Sequence, residues 1–521
     1  MIQIRDRAYH KNTDIYTMSE IGIPGIVLME RAAYELMQET RKWVAKSDRI
    51  LAVCGSGNNG GDGVAAARML YLNGYFCDVL LLCHAGGMTD ETKRQLQIAE
   101  NAGVRVYRMA VDTEEEDPAF PGISSYQAVV DAVFGIGLTR EVTGKYYSVI
   151  SQINALHGNV ISADVPSGID ADTGAVLGIA VEADVTVSFG YGKPGLYLYP
   201  GASYAGEVLV REIGFVSPCE ASADIFAYES LKELPIAERT ADSHKGTYGK
   251  VLLIAGFDEM SGACCMAAEA AYRCGAGLVR VFSGEDAKRV LQTRMPELMV
   301  SSCDKTDWAD ELQSLVGWAD VIAIGPGIGT GEKAKQALEI VLSATEKKTV
   351  FDADALNLLA ADWQRVPAGA VLTPHPAELS RLLGISVREI KENRIAVLKQ
   401  HFTRDDIVLV CKDSRTISAY RNRFCINLNG NSGMATGGSG DVLCGVIAAL
   451  MASGLEPFDA ACSAVRIHAE AGDLAAFELS EYSMVASDII QKLPEVFGKI
   501  DKLVEISGLS LMEKIRRNIR V

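Results

Sequence analysis

RILAVCGSGNNGGDGVAAARML runs from Arg49 to Leu70 and decides the fold class. A continuous apolar run (49–55) ends in glycine, a Gly-rich turn follows, and AAARML begins a helix. A strand that is apolar at successive positions is covered on both faces, as in a parallel sheet whose crossovers are helices. The same unit recurs along the chain. CDVLLLC (77–83), AVVDAVFG (128–135), NVISADVP (159–166) and DVTVSFG (184–190) read as buried strands in the first half. KVLLIAG (250–256), LVRVFSG (278–284), DVIAIGPG (320–327), TVFDADAL (349–356), GAVLTPHP (369–376) and DIVLVCK (406–412) read so in the second. Each half is therefore α/β with a parallel sheet.

The 521 residues exceed one ordinary core, so two domains are expected. Residues 215–243 mix Pro, Ser and charge with little periodicity, which places the join there. The expected division is a first domain over 1–216, a linker over 217–243, a second domain over 244–498 and a charged helical tail over 499–521. The halves share architecture but no repeated motif, which indicates a fusion of different domains.

Net charge is -17, with 50 basic against 67 acidic residues, which argues against nucleic acid as a partner. The polar start has no apolar signal core, and no uninterrupted apolar stretch reaches the about 18 residues of a membrane span. Twelve scattered cysteines without a CxxC pair suit reduced thiols in a cytoplasm. Seven histidines in no HxxxH or HExxH spacing give no support to a zinc site.

GSGNNGGDG (55–63) has neither the GxGxxG nor the P-loop spacing. It reads either as an anion cradle to which Asn58, Asn59 and Asp62 add side-chain ligands, or as a tight turn with an Asx cap. Later strand ends carry Asp131, Asp164 and Ser167. Ligands of open parallel sheets bind outside the carboxyl ends of the strands. Asn59, Asp131 and Ser167 offer oxygen only, the donor set of a hard cation, and Asp164 is a candidate proton-transfer group.

SEIGIPGIVLMERAA (19–33), GNNGGDG (57–63), DAVFGIGL (131–138), DVPSGIDADTG (164–174) and FGYGKPGL (189–196) occur in this order. Together they resemble the N-terminal epimerase domain of the NAD(P)H-hydrate repair enzymes, over about residues 10–215. The resemblance implies a Rossmann-like three-layer fold that interconverts the R and S forms of hydrated NADH and NADPH. It implies potassium held by Asn59, Asp131 and Ser167. It also implies substrate contacts from Asn58, Asn59, Gly60, Gly61 and Asp62, from Gly135, Ile136, Gly137, Leu138, Thr139, Arg140 and Glu141, and from Asp164.

In the second half, MATGGSGDVLCGVIAAL (434–450) sets three glycines before Asp441 and an apolar helix. Backbone amides and the helix dipole there suit a phosphate. Asp441 is either a cap, worth ~1 kcal/mol, or a base beside the anion hole. The cradle contains no lysine, so it is not a Walker A loop, but Lys412 lies beyond a buried strand where phosphates could meet it.

HKGTYGKVLLIAG (244–256), the small-residue helix from 261, GPGIG (325–329), DADALN (352–357), LTPHPAEL (372–379), CKDSRT (411–416) and NGNSGMATGGSGDVLCG (429–445) follow in order. They resemble the C-terminal dehydratase domain of the same family, over about residues 240–497. The resemblance implies a ribokinase-like fold and nucleotide-dependent dehydration of S-NADHX or S-NADPHX, with ADP or ATP as co-substrate and Mg2+. By motif match Ala263, Gly327, His375 and Asp441 face the hydrated cofactor, with Asp441 the base. Lys412, Asp413, Ser414, Arg415, Thr416 and Gly440 face the adenine nucleotide. Two departures stand out: the family's HPGE reads His375-Pro376-Ala377-Glu378 here, and its Lys-Gly reads Lys412-Asp413. The first bears on backbone approach near His375, and the second adds negative charge near the nucleotide. A homo-oligomer is also expected.

Two other readings compete. The second half could be a ribokinase-type vitamin or sugar kinase, because GGSGD alone is compatible with one. The first half could be a non-catalytic nucleotide- or protein-binding module.

Overall fold

A computed structural model of the chain describes residues 1–83, 87–113, 119–217, 224–236, 238–257 and 260–508. It divides into two compact units, residues 2–225 and 226 onward.

The first unit carries β1 (Arg49–Cys54), β2 (Phe76–Cys83), β3 (Val106–Ala110), β4 (Ala128–Ala132), β5 (Asn159–Ala163), β6 (Val185–Phe189) and β7 (Glu207–Arg211). They form one sheet in the order β3-β2-β1-β4-β5-β6-β7. Every pairing is parallel. Side chains alternate between two cores: Ile50, Ala52 and Cys54 face one, Leu51 and Val53 the other. Both cores are apolar, which is why β1 reads as a continuous hydrophobic run.

Helices α1 (Gly25–Trp43) and α2 (Asn58–Leu72) contribute to the first of these cores. Helix α2 corrects the sequence reading. The expected glycine turn is already helical from Asn58, so Asn58, Asn59, Gly60, Gly61 and Asp62 occupy its opening turns. Its glycines permit close packing on the sheet: a Cβ at Gly60 would lie 1.9 Å from the Gly55 carbonyl oxygen, and one at Gly63 2.4 Å from Ala132 Cβ.

The second unit carries β8 (Lys250–Ile254), β9 (Leu278–Ser283), β10 (Met299–Ser302), β11 (Val321–Ile324), β12 (Lys348–Phe351), β13 (Val371–Leu372), β14 (Val408–Cys411), β15 (Ile417–Tyr420) and β16 (Arg423–Ile426). Their order is β16-β15-β14-β13-β12-β11-β8-β9-β10. The sheet is parallel from β10 to β14, and β15 and β16 continue it antiparallel. Helices α3 (Ser261–Arg273), α4 (Ser439–Ala452), α5 (Pro457–Leu479) and α6 (Ala486–Gly508) pack their apolar residues into the large core of this unit.

Several expectations need correction. TVFDADAL is strand only to Phe351, and Asp354–Leu359 is helix. Within GAVLTPHP only Val371–Leu372 is strand. Strands β3, β7, β10, β15 and β16 escaped the sequence reading; β3, β7 and β10 are edge strands, with one neighbour each and polar residues interleaved, and β15 and β16 are short antiparallel strands. Part of the expected linker is core, because Phe226, Tyr228, Leu231 and Leu234 are buried in the second unit. The expected tail is not separate at its start: α6 runs through residue 499 to Gly508, and 509–521 lie outside the described residues. Among the described residues no helix is long and apolar enough to cross a membrane.

Candidate active sites

Each sheet has one point where its strand order reverses, and the crevice outside the carboxyl ends there is the default ligand site of open α/β sheets. In the first unit that point lies between β1 and β4. Chain leaving β1 becomes the start of α2, and Asp131 sits on β4 opposite Val53.

Asp131 is fully buried and accepts four hydrogen bonds. Ser167 Oγ reaches Oδ1 at 2.6 Å and Val133 N reaches it at 3.3 Å. Ser167 N and Ser162 Oγ reach Oδ2 at 2.8 and 2.9 Å. Burial pushes its carboxyl above the ordinary range, and the donors, led by Ser167, pull the other way. Phe134 N donates to Ser167 Oγ at 2.8 Å, while a Cβ at Gly135 would lie 3.2 Å from Asn59 Cβ. The loop after β4 thus joins Ser167 to Asn59. Both polar atoms of the Asn59 amide are buried without a partner among the described residues. An orphaned buried amide costs roughly 1–3 kcal/mol unless a ligand satisfies it. Carboxylate, hydroxyl and unpartnered amide oxygen together fit a hard cation.

Asp164 adopts φ +67°, a left-handed conformation that a non-glycine residue holds only when its surroundings enforce it. Here they do: Lys193 Nζ donates to Asp164 Oδ1, and Phe189 N donates to the same oxygen at 3.3 Å. Lys193 is 1% exposed and donates further to Ser188 Oγ at 3.0 Å and the Phe189 carbonyl at 2.9 Å. Burial lowers its proton affinity, against the pull of Asp164. Burial, then the Asp164 and Asp14 charges, push the Asp62 carboxyl well above the usual range. Of the 135–141 loop, the Leu138 side chain is buried in the core. Gly137, Thr139, Arg140 and Glu141 are exposed, and Gly135 and Ile136 half-buried.

The second unit reverses between β8 and β11. The chains leaving these strands are tied together, Gly256 N to the Pro326 carbonyl and Phe257 N to the Gly327 carbonyl, both at 2.8 Å. Gly327 (φ +61°) lies against Ala263, 3.2 Å from a Cβ placed on it. Asp352 follows β12, Thr373 and His375 follow β13, and Lys412 follows β14. The start of α4, with Gly437, Gly438 and Gly440, meets them: a Cβ at Gly440 would lie 3.3 Å from Lys412 Nζ. The fold therefore supplies the lysine that the glycine cradle lacks in sequence.

Asp441 is the third residue of α4, and Gly438 (φ +91°) occupies the cap position. Among the described residues none donates a hydrogen bond to the Asp441 carboxylate, so it is not spent as a cap. Burial pushes its pKa up to about 7; Asp352 and Asp354 add to the rise and Lys412 opposes it. His468 on α5 lies 3.4 Å from Ser439 Oγ and is lowered to about 4 by burial, so a neutral imidazole flanks the cradle.

His375 caps the helix Pro376–Leu383: Nδ1 accepts from Ala377 N at 3.1 Å and Glu378 N at 3.3 Å, and His375 N donates in turn to Glu378 Oε2 at 2.8 Å. The imidazole edge is left half exposed. Ala377 has ordinary helical backbone, so the missing glycine causes no strain. The Asp413 charge is answered by Arg394, 3.5 Å away and buried, which also donates to the Arg415 carbonyl at 2.7 Å. Arg415 donates to the Leu428 carbonyl, and Thr416 Oγ1 to that of Asp413 at 3.1 Å, so both side chains hold the loop while Ser414 is exposed.

Sequence reasoning missed Lys193, Asp352, Arg394 and His468. Lys193 and Asp352 each stand in a quoted motif without a role. Arg394 and His468 lie in ordinary helical stretches, where nothing local marks them.

Two parallel α/β domains, each with a glycine-lined helix start and a shifted carboxyl at its switch point, define a two-site enzyme. A family model described as NAD(P)H-hydrate dehydratase matches residues 251–495, and one described as YjeF-related protein N-terminus matches 25–195. The bifunctional NAD(P)H-hydrate repair enzyme of Moorella thermoacetica is 36% identical over 512 residues, covering 94% of this chain and 96% of that one. Its Escherichia coli counterpart is 35% identical, covering 92% of each. The solved ADP/ATP-dependent NAD(P)H-hydrate dehydratase of Bacillus subtilis is 31% identical, with a TM-score of 0.48 over 52% of this chain and 96% of that one. The chain belongs to the family of bifunctional NAD(P)H-hydrate repair enzymes.

Proposed function

We propose that the two domains divide the repair of hydrated NADH and NADPH between them. The first interconverts the R and S hydrates, and the second dehydrates the S form at the cost of a nucleotide phosphate. In the second site Asp441 takes the proton of the ring hydroxyl as that oxygen attacks the terminal phosphoryl group. The shortened nucleotide leaves, phosphate then departs with the C–O bonding pair while the neighbouring ring carbon gives up a proton to solvent, and the ring double bond returns; a hydroxyl that leaves poorly has departed as phosphate. The amides of α4 and the Lys412 ammonium face the charge that develops on the phosphoryl oxygens. Gly440 and the loop Lys412, Asp413, Ser414, Arg415 and Thr416 hold the nucleotide, and Ala263, Gly327 and His375 face the hydrate. ADP is the proposed donor, ATP the alternative.

Magnesium would come with the nucleotide phosphates, where it would neutralise the transferred charge. Among the described residues no group of three His, Cys, Asp or Glu is disposed to hold a metal alone. In the first site Asn59, Asp131 and Ser167 would hold potassium, which would supply positive charge beside the substrate. Asp164, kept in place by Lys193, moves the proton, and the start of α2 and the 135–141 loop bind the nucleotide half of the substrate. The eleven described cysteines are free thiols, which suits the proposed cytoplasmic location.

One observation carries this reading: a carboxyl raised to about 7, without a hydrogen-bond partner among the described residues, stands at the mouth of a glycine cradle backed by a lysine. Asp441→Asn should cut nucleotide-dependent recovery of nicotinamide absorbance from S-NADHX by about 10²–10⁴-fold while the melting temperature is retained. Because the base must be ionised, the wild-type rate should fall as pH drops through about 7. An unchanged rate in the variant contradicts the assignment.

A further inference from the structure

Asp352 is 1% exposed and has no role in the scheme above. Its Oδ1 accepts from Lys412 Nζ at 2.7 Å and from Thr373 Oγ1 at 2.7 Å. The backbone around it is clamped. Asp352 N donates to the Ile324 carbonyl at 3.1 Å, and its own carbonyl accepts from Ala355 N at 3.1 Å. A Cβ at Gly325 would fall 1.7 Å from that carbonyl oxygen, so the two chains touch there only because residue 325 is glycine. Ala353, directly after it, sits at φ +46°. Non-glycine backbone in that region persists where surrounding structure over-determines it, and such positions gather at active sites.

We propose that Asp352 is a positioning residue of the second site: it pins the Lys412 ammonium beneath the glycine cradle and so fixes where the phosphoryl group and Asp441 meet. The proposal rests on reading this site as a phosphoryl-transferring dehydratase. A lysine is a point charge on a flexible stem, and its location depends on what holds it. Burial alone lowers the proton affinity of Lys412; Asp352 and then Glu378 more than restore it, so the ammonium stays charged. The anchored ammonium lies 3.3 Å from where a Cβ on Gly440 would stand. The charged groups facing Asp441 are Asp352 from the end of β12, Asp354 from the following helix and Lys412 from the end of β14. Asp352 therefore acts on the site twice, by holding the cation and by opposing ionisation of the base.

Asp352→Asn keeps an oxygen for Thr373 and removes the charge. In the full chain with magnesium, ADP and S-NADHX, kcat/KM for ADP should fall about 10- to 100-fold. The acid limb of the pH profile should move down by roughly one pH unit, because a like charge near Asp441 is gone and Lys412 is unopposed. A merely structural residue would leave the limb in place. Thr373→Val removes one donor and keeps the charge; it should raise the KM for ADP several-fold without moving the limb. Either variant behaving as wild type, with the wild type active, overturns the role of Asp352 alone. A wild type that shows no nucleotide-dependent dehydration overturns the reading of the site and this role together.

Discussion

Asp164 and Ala353 are two of four non-glycine residues in left-handed backbone among the described residues, and each stands beside a proposed reacting centre. At Asp164 the cause is visible: a buried lysine and a backbone amide share one carboxylate oxygen. Removing that lysine leaves the carboxylate without its cation. Lys193→Met should therefore lower the epimerisation rate about 10²-fold, read as the rate at which pure R hydrate becomes available to the dehydratase. Dehydration of S hydrate by the same protein should not change, and a variant that epimerises normally contradicts the role. The site residues differ in how far sequence reveals them. Asn59, Asp131, Ser167 and Asp441 fall in glycine-rich or strand-end motifs whose chemistry is local. Lys193 and Asp352 act through partners 29 and 60 positions away, and only the folded chain brings those partners together.

The opening turns of α2 and α4 carry the two proposed anion-facing surfaces, and glycine serves packing in both. A Cβ at Gly445 would lie 2.1 Å from the Ala267 carbonyl oxygen, which places α4 and α3 in backbone contact. Gly445→Val should therefore destabilise the second domain by about 3 kcal/mol or more, read as a loss of melting temperature and urea resistance. Undiminished stability would show that the two helices separate without cost. The interior parallel strands were legible as elements because burial on both faces writes an unbroken apolar run. The edge strands β3, β7 and β10 were not, since one side of each lacks a neighbour and tolerates polar residues. The opening of α2 was also hidden: a run of glycines is the signature of a turn, and only contact with Gly55 and Ala132 explains why a helix carries them.

The whole molecule joins two sheets of different strand order, each with its own switch point and its own carboxyl chemistry. One site consumes a single epimer, and the other converts the remaining epimer into it. A chain with both activities clears a mixed hydrate completely, which neither domain achieves alone when spontaneous epimerisation is slow. The most direct measurement is recovery of nicotinamide absorbance from a mixed R,S hydrate, with magnesium and potassium present, compared among ADP, ATP and no nucleotide. Full conversion with one nucleotide and none without it is the predicted result, and it names the donor. Conversion that stops at the S fraction contradicts the epimerase half of the account, and no conversion with either nucleotide contradicts it entirely.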